Sequence, residues 1–248
     1  MIILAAGLGK RLMPLTAGLP KCLVPLHGRP LLDWQMSSAR RAGVKEFILV
    51  GGYRAGLLGG KGAEVVLNPH YETTNMVESL WCARAAFDRP FLLSYGDILC
   101  TPDVVSAAAA SPENLAVVVD RRWRAYWEQR FEDPLKDAES LRVDPDGLIR
   151  SIGQKTATLD EIQAQFIGLL AFTPAGANSL MGIYEKRRAE TKARNMFMTD
   201  LLQAAIDSGV AVRAVPVDRG WYEVDSVSDL KIAEASTAPH GDALEMLH

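Results

Sequence analysis

The 248-residue chain has few cysteines and little surplus charge. Cys22, Cys82 and Cys100 are odd in number and too far apart for a Cys-x-x-Cys metal pair, so reduced thiols in or near the core are expected. A net charge of −3 lacks the basic excess of a polyanion-binding surface, so no nucleic-acid partner is expected. No five like charges follow one another, which argues against a charged tail. No apolar run approaches the ~18 residues of a membrane span. Met1 leads straight into Ile2-Ile3-Leu4 without a basic segment or a long apolar stretch. The expectation is a cytoplasmic protein with no membrane partner; a homodimer stays open.

What is present is apolar residue, 48% of the chain. At this length a core can bury roughly 70% of the unfolded surface, without disulfides or a structural metal. Short apolar, β-prone runs (1–4, 47–50, 65–67, 91–94, 115–119, 165–172, 212–217, 222–224) alternate with helical patterns (31–42, 75–86, 175–191, 199–208, 228–235). That order predicts an α/β, doubly wound, mostly parallel sheet with a small insert. One domain is expected over 1–235, with 121–165 as the insert subregion. Asp144-Pro145-Asp146-Gly147 reads as the turn of a hairpin over 141–151. Residues 236–248, interrupted by Pro239 and Gly241, are expected to be loose, although 243–247 could dock.

In such sheets ligands lie beyond the carboxyl ends of the strands. Two polar segments sit there. Gly7 and Gly9 follow the first strand and let the backbone turn its N–H groups toward a polyanion. Arg11 and Lys21 add cations suited to phosphate oxygens. Asp97 follows the strand over 91–94, and Asp225 closes Trp221-Tyr222-Glu223-Val224-Asp225. Mg²⁺ is commonly held by one or two carboxylates together with substrate oxygens. Glu223 shares the strand face of Asp225 and reads either as a third ligand or as an ordinary strand-edge carboxylate. Trp123, Tyr126 and Trp127, near Glu128, Glu132, Asp133 and Asp137, form either an aromatic–acidic pocket for an ammonium group or packing for the insert. His27 and His70 have no required role.

The stretch Leu4-Ala5-Ala6-Gly7-Leu8-Gly9-Lys10-Arg11, continued by Leu19-Pro20-Lys21-Cys22-Leu23-Val24-Pro25, resembles the signature of the sugar-phosphate nucleotidyltransferase superfamily, which has a Rossmann-like fold. The resemblance implies that Leu4, Ala5, Ala6, Gly7 and Gly9 wrap the nucleotide phosphates. It places Arg11 on the β- and γ-phosphates and Lys21 on the α-phosphate or the incoming phosphate. Asp97 and Asp225 match the superfamily's two metal-binding aspartates. Hexose-1-phosphate members carry Glu-Lys-Pro near the middle of the chain; here Gly153-Gln154-Lys155-Thr156 keeps the lysine and loses the acid. No hexapeptide-repeat segment is recognised. Asn68-Pro69, Thr74-Asn75-Met76-Val77-Glu78-Ser79-Leu80, the 121–140 segment and 221–230 resemble the phosphocholine cytidylyltransferase family, with its 2-aminoethylphosphonate relatives. That resemblance covers almost the whole chain to about Ala235. It puts Thr74, Asn75 and Met76 against the pyrimidine of CTP, and Trp123, Tyr126, Trp127, Gln154 and Lys155 on the acceptor side. The expected reaction is Mg²⁺-dependent transfer of CMP to a small phospho- or phosphono-acceptor, with Arg11, Lys21 and Lys155 stabilising charge. A hexose-1-phosphate uridylyl- or thymidylyltransferase, or a non-catalytic nucleotide-binding regulator, are the competing readings.

Overall fold

The structure, a computed structural model, describes residues 1–189 and 193–246. Its centre is a seven-stranded sheet of β1 (Ile2–Ala5), β2 (Ile48–Gly51), β3 (Glu64–Leu67), β4 (Phe91–Tyr95), β5 (Leu115–Asp120), β6 (Gln165–Phe172) and β7 (Arg213–Val217). The spatial order is β7-β5-β6-β4-β1-β2-β3. Every pairing is parallel except those of β6, which runs against both β4 and β5. The apolar runs become central strands because both faces are covered. Ile3 and Leu49 belong to one core, while Ile2 and Val50 belong to another on the opposite side.

The described residues form seven α-helices: α1 (Leu31–Arg41), α2 (Met76–Cys82), α3 (Pro102–Ala109), α4 (Trp123–Arg130), α5 (Pro174–Arg187), α6 (Met198–Asp207) and α7 (Val227–Ser236). The helix expected over 75–86 is shorter, with a separate 3₁₀ turn at Arg84–Ala86. The helix expected to reach 191 ends at Arg187, and residues 190 and 191 lie outside the described residues. The expected hairpin forms from Leu141–Val143 and Ile149–Ile152, and Gly147 takes φ 81° in its turn.

The tail departs from expectation. Thr237–His240 and Ala243–Met246 pair as an antiparallel hairpin. It is held by a bond between His27 Nε2 and Thr237 Oγ1 (3.0 Å), and by Asp242 O accepting from Arg29 Nη1 (2.9 Å) and Ser37 Oγ (2.5 Å). Pro239 and Gly241, which suggested looseness, fall in an edge strand and in the turn, where each is tolerated. Leu247, in the segment expected to dock, lies outside the described residues.

Candidate active site

The site forms where the carboxyl ends of β1 and β4 lie side by side, with Leu4 opposite Tyr95. The chain leaves β4 through Gly96, whose N–H donates to Leu4 O (2.9 Å). A Cβ at Gly96 would stand 2.6 Å from that oxygen, so only glycine allows the two ends to meet so closely. Asp97 comes next and is thereby placed beside the Ala6-Gly7 turn.

A second pairing delivers Asp225. Trp221–Glu223 runs antiparallel to Ile98–Cys100, with Glu223 opposite Ile98, and Val224 N–H donates to Asp97 O (2.9 Å). Asp97 and Asp225, 128 positions apart in the chain, thus share one ammonium. Lys21 Nζ donates to Asp97 Oδ2 and to Asp225 Oδ1 (2.5 Å), and the Arg11 guanidinium pairs with Asp225 Oδ2. Asp97 Oδ1 is buried and has no hydrogen-bond partner among the described residues. From beneath, the Gln35 amide donates to Tyr95 O (2.7 Å) and Ile98 O (2.9 Å), tying together the strands on either side of Asp97.

Leu4, Ala5, Ala6, Gly7, Lys21, Thr74, Asn75, Met76 and Asp97 line a single cleft. All nine were singled out in the sequence. Gly9 and Arg11 stand outside its lining. Gly9 takes φ 63° to turn the loop, and Arg11 reaches Asp225 from the solvent side. Cys22, Tyr71, Ser79, Tyr95 and Gly96 complete the cleft and were not foreseen as site residues. Tyr71 had a signal in Gly52, where a Cβ would lie 2.5 Å from the Tyr71 side chain. Burial pushes the Cys22 thiol up to about 12, so it is a lining group and not a nucleophile. His27 serves the tail hairpin, and His70 is exposed.

A second cleft shares Met76 and Tyr95 with the first. Trp127, Trp221, Phe166 and Phe197 supply its apolar wall, and Asp137, Glu139 and Glu223 its acids. Burial raises both Glu139 and Glu223 above the usual carboxylate range, and Asp137 adds to each shift. Asp137 Oδ2 accepts from Trp127 Nε1 (3.1 Å). Among the described residues its lining includes no lysine, arginine or histidine, and of the three acids Glu223 has a salt-bridge partner, Arg130.

Three expectations change here. Trp123 and Tyr126 are buried and pack the insert; Tyr126 meets Trp221 and Tyr222 edge-to-face at 5.5 and 5.3 Å. The cation at Tyr126 is internal: the Arg219 guanidinium lies 4.1 Å from its ring centre, and Arg130 lies 5.3 Å from it. Of the three insert aromatics, only Trp127 faces the acidic cleft. Glu223 is engaged away from the aspartate pair. Its Oε2 sits 2.6 Å from the buried Arg130 Nη1, whose charge requires a partner. Among the described residues no group of three or more His, Cys, Asp or Glu is placed to hold a metal. Lys155 and Gln154 are exposed and line neither cleft. Lys155 Nζ donates to Lys136 O (3.3 Å) and stays near enough to Glu139 to lower its pKa somewhat.

No helix among the described residues is long and apolar enough to cross a membrane. Residues 1–165 match the model of the MobA-like NTP transferase domain. The chain is 36% identical over 247 residues to the CTP:phosphoglutamine cytidylyltransferase of Campylobacter jejuni, covering 93% of this chain and 97% of that one. It is 30% identical to the CMP-5'-(3-aminopropyl)phosphonate synthase of Streptomyces rubellomurinus, over its own full length but only 40% of that protein. Its structure matches the inositol-1-phosphate CTP transferase of T. maritima with a TM-score of 0.74 at 25% identity, covering 92% of this chain and 89% of that one. The chain belongs to the MobA-like NTP transferase family and is a nucleotidyltransferase.

Proposed function

We propose that the protein transfers CMP from CTP to a small phosphorylated or phosphono-acceptor bearing an ammonium group, and releases pyrophosphate. The observation that carries this reading is the juxtaposition of the two clefts. One is lined by the glycine-rich loop and Asp97; the other, sharing Tyr95 and Met76, is rich in carboxylates and aromatic rings. An ammonium would pair with Asp137 and Glu139, which have no salt-bridge partner among the described residues, and lie against Trp127, with a cation–π contribution of about 0.5–2 kcal/mol. The relative named for phosphoglutamine and the one named for an aminopropylphosphonate support both the cytosine nucleotide and an amine-bearing acceptor.

The reaction is a single in-line displacement. An acceptor phosphate or phosphonate oxygen bonds to the α-phosphorus of CTP as the bond from that phosphorus to the β-phosphate bridging oxygen breaks, and pyrophosphate leaves. The attacking oxygen is already anionic near neutral pH, so no residue has to remove a proton. Arg11 and Lys21 hold the phosphates and offset the developing charge. Thr74, Asn75 and Met76 border the base. Lys155, at the rim near Glu139, orients the acceptor and does not touch the reacting phosphorus.

Asp97 and Asp225 fit a Mg²⁺ ion: two hard oxygen donors, one with a buried unpartnered oxygen, suit an ion that takes its other ligands from phosphates and water. When bound, it would screen the charge passing between attacking and leaving oxygens. The test is pyrophosphate release with Mg²⁺, each NTP in turn, and phosphoglutamine, phosphocholine, phosphoethanolamine, 2-aminoethylphosphonate, glycerol phosphate and glucose-1-phosphate. Turnover restricted to CTP and amine-bearing acceptors is expected. Equal turnover with glycerol phosphate would remove the ammonium requirement, and turnover confined to glucose-1-phosphate would overturn the acceptor class.

A further inference from the structure

Two carboxylates that converge on one point repel each other unless a cation lies between them. In the structure that cation is the Lys21 ammonium, bonded to Oδ2 of Asp97 and Oδ1 of Asp225, with Arg11 on the remaining oxygen of Asp225. Three of the four carboxylate oxygens are engaged, and the fourth, Asp97 Oδ1, is buried without a partner. The Lys21 side chain is only 13% exposed, so little water screens it from any second cation placed beside it.

We propose that Lys21 is a resident counter-cation that keeps the aspartate pair closed to divalent metal until nucleotide phosphates arrive. Metal and nucleotide then load together, because phosphate is the alternative anion that draws Lys21 and Arg11 off the carboxylates. This rests on the reading of Asp97 and Asp225 as the metal pair.

The local geometry suits a side chain held at its base and free at its tip. A Cβ on Gly9 would stand 3.0 Å from Lys21 Cβ and 3.2 Å from Cγ, so the glycine-rich loop packs directly on the root of the lysine stem. The four-carbon stem then lets the ammonium pivot over a short arc from the carboxylates to phosphates held by the same loop. Arginine would bridge the two carboxylates with a rigid fork and pivot less readily.

The experiment is titration of nucleotide-free protein with Mn²⁺, the bound ion read by electron paramagnetic resonance and by calorimetry, in the wild type, Lys21→Met and Lys21→Met/Asp97→Asn. Wild type should bind Mn²⁺ weakly alone and tightly once CTP is added. Lys21→Met should bind Mn²⁺ alone about tenfold or more tighter than wild type, since a buried like charge has been removed. The double variant should lose that gain. Melting curves give an independent reading: Lys21→Met should melt below wild type without metal and recover with Mn²⁺ alone, whereas wild type should respond to Mn²⁺ only with CTP. Equal Mn²⁺ affinity of wild type and Lys21→Met, with the CTP-dependent binding of wild type intact, would overturn the counter-cation role and leave the metal pair standing. Absence of Mn²⁺ binding to wild type even with CTP would instead overturn the metal pair itself, and the proposal with it.

Discussion

Gly168 and Tyr95 compete for one volume: a Cβ on Gly168 would stand 2.8 Å from the Tyr95 ring. Gly168 takes φ 85° where the pairing of β6 with β5 shifts register between Phe166 and Leu170. The Tyr95 ring borders both clefts, and its hydroxyl donates to Met76 Sδ at 2.7 Å. Gly168→Ala should strain the backbone and push the ring into the shared wall, costing about 1–3 kcal/mol of stability. At this chain length the melting temperature should fall by roughly 2–4 °C per kcal/mol. Separate kcat/KM values should show a larger loss for acceptor than for CTP. Equal losses would mean that Tyr95 does not partition the two clefts.

Arg130 should be indispensable to the frame of the site. Its side chain is 1% exposed and pairs with Glu223 and, through Nε, with Asp229 Oδ1 (2.8 Å). Asp229 Oδ2 in turn accepts from the backbone N–H of Asp225 (3.1 Å) and Ser226 (2.9 Å). Arg130→Met would leave the buried Asp229 and the half-buried Glu223 without their cation, a cost of about 3–5 kcal/mol. Chemical denaturation should report that loss, and turnover should fall as well, because the support of Asp225 is disturbed. A variant with unchanged stability would contradict the buried pairing.

The pH response should have two opposite parts. Burial pushes Glu78 up, but hydrogen bonds from Arg188 and Tyr184 outweigh it and hold the carboxyl below its usual value of 4.5. Its contribution is therefore present above that unfolded value and is lost as pH falls through the lower folded value. Glu139 and Glu223 are raised, chiefly by burial. In the window between their raised folded values and 4.5 the folded state binds more protons, so their ionisation costs stability and acidification relieves it. Protons should compete there with an ammonium-bearing acceptor: its KM should rise as pH falls through the raised values. Glu139→Gln should raise acceptor KM at neutral pH, leave stability equal or higher, and flatten the pH dependence. Urea melts and kinetics from pH 4 to 8 would check each sign.

Removal of the residues after Ser236 should destabilise the protein. Thr237 is buried, its hydroxyl donates to Ala233 O (2.6 Å), and Leu244 and Met246 pack on the core beside α1. Truncation at Ser236 should cost about 2–4 kcal/mol in lost burial and hydrogen bonds. A melting temperature within a degree of the full chain would show that the hairpin contributes nothing.

Much of the sheet is legible in the sequence because buried parallel strands leave continuous apolar runs, as in Leu115–Val119, and β6 begins and ends at the expected Gln165 and Phe172. The nucleotide side is legible for a related reason: Gly7, Lys21 and Asp97 follow their strands within short, signature-bearing stretches. The second cleft is not. Trp123, Tyr126 and Trp127 have the spacing of one helical face, which is equally the mark of packing, and the structure uses Trp123 and Tyr126 that way. Glu139, Gln165 and Thr199 line the second cleft through long-range pairings that no local pattern records. Helix α3 also escapes a periodicity reading. Its alanine-rich stretch carries a weak apolar stripe, and its start depends on the Thr101 cap and on Pro102 at the first turn.

The antiparallel strand of the central sheet, β6, has a consequence for how the chain is made. Residues 165–172 lie between 91–95 and 115–120, so β5 cannot join the growing sheet until some fifty further residues have been synthesised. The parallel block β4-β1-β2-β3, complete once Tyr95 has emerged, must wait with the apolar edge Phe91–Tyr95 open. Long-range pairings of this kind form late, and an open edge is a template for another chain. The nascent protein is therefore most prone to self-association while residues 121–165 are being translated, and a pause there would prolong the exposure.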